Sequence, residues 1–460
     1  MFSKETYSAR REALRIKMQG RGLVLMLGHT ESPINYPNNA YSFRQDSSFL
    51  YFFGLALPDL AGIIDTDTGE DTLFGDDFTV SDIIWMGPQP RVTELAEQVG
   101  IAKTAPVAAL AEVVARAVAT GREIHILPPY RGETKLAINS LIPSGLHPSQ
   151  QLIEAVVAMR DKKSAEEIAQ IEEACEVGYR MHTAAMRMCA PGVSERQIAG
   201  ALEGIAHQGG WGTSFHSIVS QHGETLHNHS HDGILESGRM LLVDAGAEAV
   251  SGYASDFTRT MPVSGRFTAR QKDIYDIVLA ANNHAFEISA PGVRYVDVHL
   301  AAARVLVEGL RGLGLVSGDV AEAVAAGVHG LFMPHGLGHQ MGLDVHDMED
   351  LGQNNVGYNA LTPWSDHPSV RHCRMARALE VGMVVTVEPG IYFIPAYIAQ
   401  WKKEGTAAEF INYARVEEYA DFGGIRLEDD LLVTPTGNRM LGTRRIPITP
   451  AEVEEAMSKD

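Results

Sequence analysis

Between Leu331 and Asp347 the chain reads LFMPHGLGHQMGLDVHD, which gathers His335, His339 and His346 with Asp344 and Asp347. Imidazole is the commonest nitrogen ligand for divalent metals. A single histidine is more often a packed core residue than a ligand. Three in one glycine-broken segment justify looking for acids elsewhere that could complete a metal site. Glycines at 336, 338 and 342 predict tight turning and close approach of the backbone to a ligand.

The acids are found inside apolar runs. Asp244 ends MLLVD, and Asp256 lies in GYASDFTRT, joined to it through a glycine-containing turn that lets the two face each other on a hairpin. Glu388 ends MVVTVE, and Glu428 lies in GGIRLEDDLLV. A carboxylate in a buried strand costs several kcal/mol unless it is paired or metal-bound. Taken singly, each acid reads better as a side chain turned to solvent; four of them together with the histidine segment reverse that and favour convergence on a metal. Four carboxylates and one imidazole carry about four negative charges, which two divalent ions would cancel. Oxygen-rich ligation suits Mn²⁺ better than a thiolate-type zinc site. Two ions about 3.5–4 Å apart share a bridging water and lower its pKa, so hydrolysis is the reaction class implied.

Several elements must deliver these residues. Residues 4–19 have the period of an amphipathic helix, GLVLMLG at 22–28 that of a buried strand, and Glu31–Tyr41 the composition of a polar loop. YSFRQDSSFLYFFGL predicts a further strand, AGIIDTDTGEDTLFGD at 61–76 a hairpin, and Trp85-Met86-Gly87 the end of a short strand. Residues 93–120 are helical with a break near Thr104–Pro106, and Glu123–Leu127 is a strand. These make an α/β domain over residues 1–155. Residues 150–188 carry the clearest helical period in the chain, with the position of any break open, and a second domain spans 156–460.

The second domain partly repeats itself. Ala190-Pro191-Gly192-Val193 and Ala290-Pro291-Gly292-Val293 each separate two helical stretches. Later in each half a similar strand follows, GRMLLVDAG with Asp244 and GMVVTVEPG with Glu388. One APGV junction could arise anywhere; two matches in the same order favour duplication, which would bring the two acids together at a pseudo-twofold axis.

Composition narrows the function classes. The chain has 460 residues, 45% hydrophobic and 21% charged, enough for a substantial core. Its formal charge of −20, from 38 basic and 58 acidic residues, argues against nucleic acid or an anionic membrane as partner. Cys175, Cys189 and Cys373 are widely spaced and odd in number, which fits a reducing compartment. MFSKETYSARREALRIKM is polar and unlike a secretory leader, and GLVLMLG is too short to span a bilayer. The cytoplasm is the expected location.

The set Asp244, Asp256, His339, Glu388 and Glu428 resembles that of the dinuclear metallopeptidases of the pita-bread fold, and most closely the Xaa-Pro aminopeptidase (aminopeptidase P) and prolidase branch. The resemblance covers almost the whole chain: FRQDSSFLYFFG and WMG, then VDAG, SDFTRT, HGLGH, GLDVHD, TVEPGIY and GIRLEDD. It implies an α/β N-terminal domain followed by an α+β pita-bread (creatinase/aminopeptidase-like) catalytic domain with internal pseudo-twofold duplication. It implies that Asp244 binds one ion, Asp256 and Glu428 bridge both, and His339 and Glu388 bind the other. Glu388 would also handle the proton of the attacking water, His227 in TLHNHSH would contact substrate, and His346 would stabilise the tetrahedral intermediate. Arg426 would support the carboxylates. His335 stays open between a role beside the ligands and simple packing, and His229 and His231 read as exposed loop residues.

The implied substrates are proline-containing peptides or dipeptides, with two divalent metal ions, most plausibly Mn²⁺, as cofactors. A dipeptidase must recognise the free carboxylate of proline, and Arg374, fourteen residues before Glu388, is the natural bidentate partner. Against that, Arg371, Arg374 and Arg377 also read as a solvated basic cluster, so aminopeptidase and dipeptidase remain alternatives. Aminopeptidase P commonly has an acid where this chain has Asn38 and Asn39, which puts any proton relay there in doubt. Trp85 matches a tryptophan that in that family reaches a neighbouring subunit, or else it is a buried strand-end residue; a homo-oligomer, dimer or tetramer, is expected. The intact ligand set argues against a metal-free creatinase-type enzyme or a binding protein reusing the fold. The N-terminal domain argues against methionine aminopeptidase.

Overall fold

The computed structural model describes residues 2–458, which fall into two compact units. The first runs through Arg160 and also takes Glu349–Asn355; the second takes Asp161–Met348 and the chain from Val356.

In the first unit Leu23–Leu27 pairs antiparallel with Ala61–Asp65, which pairs in turn with Asp71–Phe74 as the expected hairpin. Parallel partners, Ile124–His125 and Lys103–Ala105, complete a five-stranded sheet. Leu25, Ile63 and Phe74 from the strands meet Leu110, Val114 and Ile138 from helices in one apolar cluster.

Three expectations for this unit are corrected. FRQDSSFLYFFG does not form a strand: Ser47–Phe53 is a helix, every residue of which is buried. Asp46 caps it by accepting from the Phe49 amide at 2.8 Å, and Gly54, at φ 67, ends it. The stretch before Trp85 is likewise a helix, Val80–Met86, started by a capping box between Thr79 and Asp82. Trp85 is not core, since it is 83% exposed. The Glu31–Tyr41 segment is not a plain loop, because Pro33–Tyr36 and Asn39–Ala40 pair.

The second unit is the duplicated one. Helices Ala165–Met188 and Glu195–Gly209 pack together, as do Ala269–Ile288 and Tyr295–Gly312. The APGV junctions between them match atom for atom in their bonding. Gly192 and Gly292 have φ of 86 and 87, a left-handed conformation that favours glycine. The Gly192 amide donates to Leu235 and the Gly292 amide to Leu379, at 2.9 and 2.8 Å, and each of those residues donates back to the valine of its APGV. The break in the 150–188 helical period falls at Asp161–Lys163, after which Ser164 and Glu167 form a capping box.

Each half contributes a small antiparallel sheet. In the first, Met240–Asp244 lies between Ile218–Ser220 and Thr258–Pro262; in the second, Asp429–Thr434 lies between Val384–Val387 and Gly437–Met440. The two sheets join where the Glu428 amide donates to the Thr258 carbonyl at 3.0 Å.

Candidate metal centre

That junction brings the acids together. Asp244 is the last residue of its strand and sits opposite Thr258, so Asp256 lies just past the end of the partner strand. Glu388 follows Val384–Val387, and Glu428 precedes Asp429–Thr434. The histidine segment lies alongside as an extra edge. The Met341 amide donates to Val384 at 3.1 Å, the Thr386 amide to His339 at 3.0 Å, and the Glu388 amide to Leu337 at 2.8 Å.

The glycines of this segment act differently from expectation. None of Gly336, Gly338 and Gly342 has a left-handed φ. A Cβ on Gly338 would lie 2.0 Å from the Thr386 carbonyl oxygen, so glycine here permits backbone-to-backbone contact rather than approach to a ligand.

Ligand atoms of Asp256, His339 and Glu428 all lie within 4.8 Å of one another, and all three residues are buried. His339 Nδ1 is engaged by the Gln340 carbonyl at 3.0 Å, which turns Nε2 toward the acids, 3.4 Å from Asp256 and 3.8 Å from Glu388. Oδ1 of Asp244 and Oδ1 of Asp256 are buried without a hydrogen-bond partner. Burial first, then the neighbouring Asp244, Asp430 and Glu388, pushes the Asp256 carboxyl well above its ordinary range. Burial, then Asp256, Glu388 and Asp244, does the same for Glu428. Orphaned carboxylate oxygens that repel one another are the donor set a pair of hard cations would satisfy.

Arg426 is the cationic partner already present. It is ion-paired to Asp244 and donates to the Tyr392 hydroxyl at 2.7 Å and to Thr258 Oγ1 at 3.1 Å. Burial opposes its charge, but Tyr392, Asp244, Glu428 and Glu388 outweigh that and hold the guanidinium protonated.

The ten residues expected to bind metal or substrate or to take part in catalysis line one cleft of about 560 Å³: Asp244, Asp256, His339, Glu388 and Glu428 with His227, His335, His346, Arg374 and Arg426; Asp344 and Asp347 do not line it. His346 stacks on His339 with ring centroids 3.8 Å apart and planes 26° apart. His335 bonds the Gly336 carbonyl through Nδ1 at 2.7 Å and the Tyr392 hydroxyl through Nε2 at 3.0 Å. Burial, and then the Arg426 charge, lowers its pKa to about 3, so it is a neutral imidazole. His229 lines the cleft as well, although the sequence suggests only a loop residue.

Four residues that organise the site carry no assigned role in the sequence reading. Tyr392 lies within the quoted TVEPGIY and joins Arg426 to His335. Thr258 Oγ1 donates to Glu428 at 2.7 Å, and Thr386 Oγ1 accepts from the His339 amide at 3.2 Å. Asp430 accepts from the Asp256 amide at 3.1 Å. Its neighbours in LEDD mark it only as one more acid, and nothing local tells which of the three faces the cleft.

This geometry defines a metallohydrolase centre in a duplicated α+β domain, and comparison with known proteins agrees. Residues 169–435 match the model of metallopeptidase family M24, and residues 7–126 match the aminopeptidase P N-terminal domain. The chain belongs to that metallopeptidase family and has the pita-bread catalytic fold behind an α/β domain. It is an enzyme of the Xaa-Pro aminopeptidase and dipeptidase group of metallo-exopeptidases. It is 31% identical to the human Xaa-Pro dipeptidase, over 96% of this chain and 90% of that one. It is also 31% identical to the Escherichia coli Xaa-Pro aminopeptidase, over 99% and 98%. Among solved structures, Pseudomonas aeruginosa aminopeptidase PepP matches with a TM-score of 0.82 at 29% identity, over 99% of this chain and 98% of that one. Zinc-substituted E. coli aminopeptidase P in complex with product matches with 0.81 at 29% identity, over 99% and 98%. Among the described residues no helix is long and apolar enough to cross a membrane.

Proposed function

We propose that the chain is an Xaa-Pro aminopeptidase that uses two divalent cations, Mn²⁺ in preference, to cleave the bond ahead of proline at a peptide N-terminus. The single observation that carries the reading is the buried Asp256–His339–Glu428 cluster, with the orphaned oxygens of Asp244 and Asp256 beside it. In this reading Asp244, Asp256, His339, Glu388 and Glu428 would together hold the two cations. Bound there, the cations supply Lewis acidity and lower the pKa of water to near neutrality.

The chain's own residues do the rest. Glu388, at the open side of the cluster, takes the proton of the attacking water and passes it to the leaving nitrogen of proline. As with any amide, that nitrogen leaves only once it has gained a proton, here departing as the secondary amine of proline. His346 donates to the carbonyl oxygen as charge develops on it. His227, which lines the same cleft, contacts the substrate. Arg426 fixes the Asp244 rotamer, and His335, neutral and tied to Tyr392, shapes the floor without exchanging protons near neutral pH.

One observation favours a second reading. Arg374 lines the same cleft, where a guanidinium could clamp the free carboxylate of an Xaa-Pro dipeptide, as a prolidase requires. The relatives carry both names. The three cysteines are buried and none forms a disulfide among the described residues, which supports the cytoplasm. The exposed Trp85 supports a homo-oligomer, dimer or tetramer.

The test is hydrolysis of Gly-Pro against a longer Xaa-Pro-Xaa peptide in Mn²⁺. A double Asp256→Ala/Glu428→Ala variant should bind neither cation and hydrolyse neither peptide. Hydrolysis that persists in chelated buffer sinks the dinuclear reading.

A further inference from the structure

Just ahead of Ser164, burial alternates along Asp161-Lys162-Lys163. The side chains of Asp161 and Lys163 are 6% and 1% exposed, whereas Lys162 is 49% exposed and pairs with Glu380. The two buried side chains reach the two ends of the loop from Gln340 to Asp347. Gln340 Nε2 donates to Asp161 Oδ1 at 2.8 Å, and Arg377 completes an ion pair with the same carboxylate. Lys163 Nζ donates to Asp347 Oδ2 at 3.0 Å. The loop is also closed on itself, with the Asp347 amide donating to Gln340 at 2.9 Å and the Asp344 amide to Asp347 Oδ1 at 3.3 Å. There is no slack: a Cβ on Gly342 would lie 2.5 Å from Asp347 Oδ2 and 2.8 Å from Lys163 Cε.

A buried ion pair adds little net stability over apolar residues of equal volume, so its presence says more about position than about strength. What this pair positions is plain from the chain. Gln340 directly follows His339, Asp347 directly follows His346, and those two imidazoles stack at 3.8 Å. We propose that Asp161 and Lys163 are positioning residues, a two-point brace that holds His346 at its place over His339 and thereby sets the reach of His346 into the cleft. The inference rests on the proposed role of His346 toward the developing oxyanion.

The experiment compares Lys163→Met, His346→Ala and the double variant in the full-length, metal-loaded enzyme. Lys163→Met should lower kcat about tenfold to hundredfold with KM and bound metal near wild type, and the double variant should be no slower than His346→Ala alone. Losses that multiply, or a Lys163→Met enzyme with wild-type kcat, overturn the brace. Should Lys163→Met not fold because the buried Asp347 charge has lost its ammonium, Lys163→Met/Asp347→Leu removes both charges and takes its place, with the same expected and overturning results. A second readout is independent of turnover. In histidine-labelled enzyme loaded with Mg²⁺, the His346 imidazole NMR signal, identified by its loss in His346→Ala, should move or broaden in Lys163→Met. If His346→Ala leaves kcat unchanged, the catalytic reading of His346 fails, and the NMR signal alone decides the brace: a moved signal supports it, an unmoved one overturns it.

Discussion

Asp244 and Arg426 form a buried ion pair that occupies one carboxylate oxygen and leaves the other, Oδ1, buried without a hydrogen-bond partner. The guanidinium serves Tyr392 and Thr258 with its remaining nitrogens, so one planar group orients three others. An ammonium is a point charge and cannot copy that fork. Arg426→Lys should therefore weaken divalent-ion binding about 10–100-fold, the usual cost of losing a group that orients a metal ligand. Calorimetric titration of Mn²⁺ into chelator-treated protein measures it, and unchanged affinity would mean that Asp244 is held by its strand alone.

The raised pKa values of Asp256 and Glu428 set the pH dependence of the metal-free enzyme. Between the unfolded and the folded values of these acids, the folded protein holds protons that the unfolded chain releases. Stability of the metal-free form therefore falls as pH rises through that window. Bound cations substitute for those protons and remove the fall. The difference in Tm between Mn²⁺-loaded and chelated protein should widen as pH rises above the ordinary carboxylate range. A difference constant with pH would show that the cluster does not gather charge as described.

Arg374 separates the two substrate readings. If it clamps the proline carboxylate, Arg374→Ala should raise KM for Gly-Pro by about tenfold or more, the worth of a charge-assisted hydrogen bond, while leaving a longer Xaa-Pro-Xaa peptide nearly unaffected. Unchanged Gly-Pro kinetics would remove the clamp and leave the aminopeptidase reading alone.

Tyr392 is fully buried, with its hydroxyl between Arg426 and His335. Tyr392→Phe leaves a guanidinium N–H and an imidazole nitrogen without this partner, at a cost of about 1–3 kcal/mol. Urea denaturation of the chelated protein should read that loss. A variant as stable as wild type would indicate that water takes over both contacts.

Much of the site was legible because its signals are local. An acid closing an apolar run and followed by a glycine turn recurs at Asp244 and Glu388, and the structure sets both at strand ends facing one cluster. The APGV junctions were legible for the same reason, since a left-handed glycine leaves a mark in one residue. The helix Ser47–Phe53 was misread because a segment buried on every side has no polar face to set its period. Its true signals, Asp46 as cap and Gly54 as stop, sat in plain view and were outweighed by aromatic content. The same holds for Thr79, Asp82 and Gly87 around Trp85. Lys163 could not be assigned at all, because its partner lies 184 residues away and nothing in DKKS distinguishes it from the exposed Lys162.

The cluster draws Asp244 and Asp256 from one copy of the repeated unit and His339, Glu388 and Glu428 from the other, meeting where Thr258 and Glu428 pair. Neither copy alone supplies all five of these side chains. Acids and histidines reach the cleft from both copies, Asp244, Asp256 and His227 from one and His335, His339, His346, Glu388 and Glu428 from the other, yet the two sets are unlike, so the pocket between two related halves has a direction in which a peptide can lie.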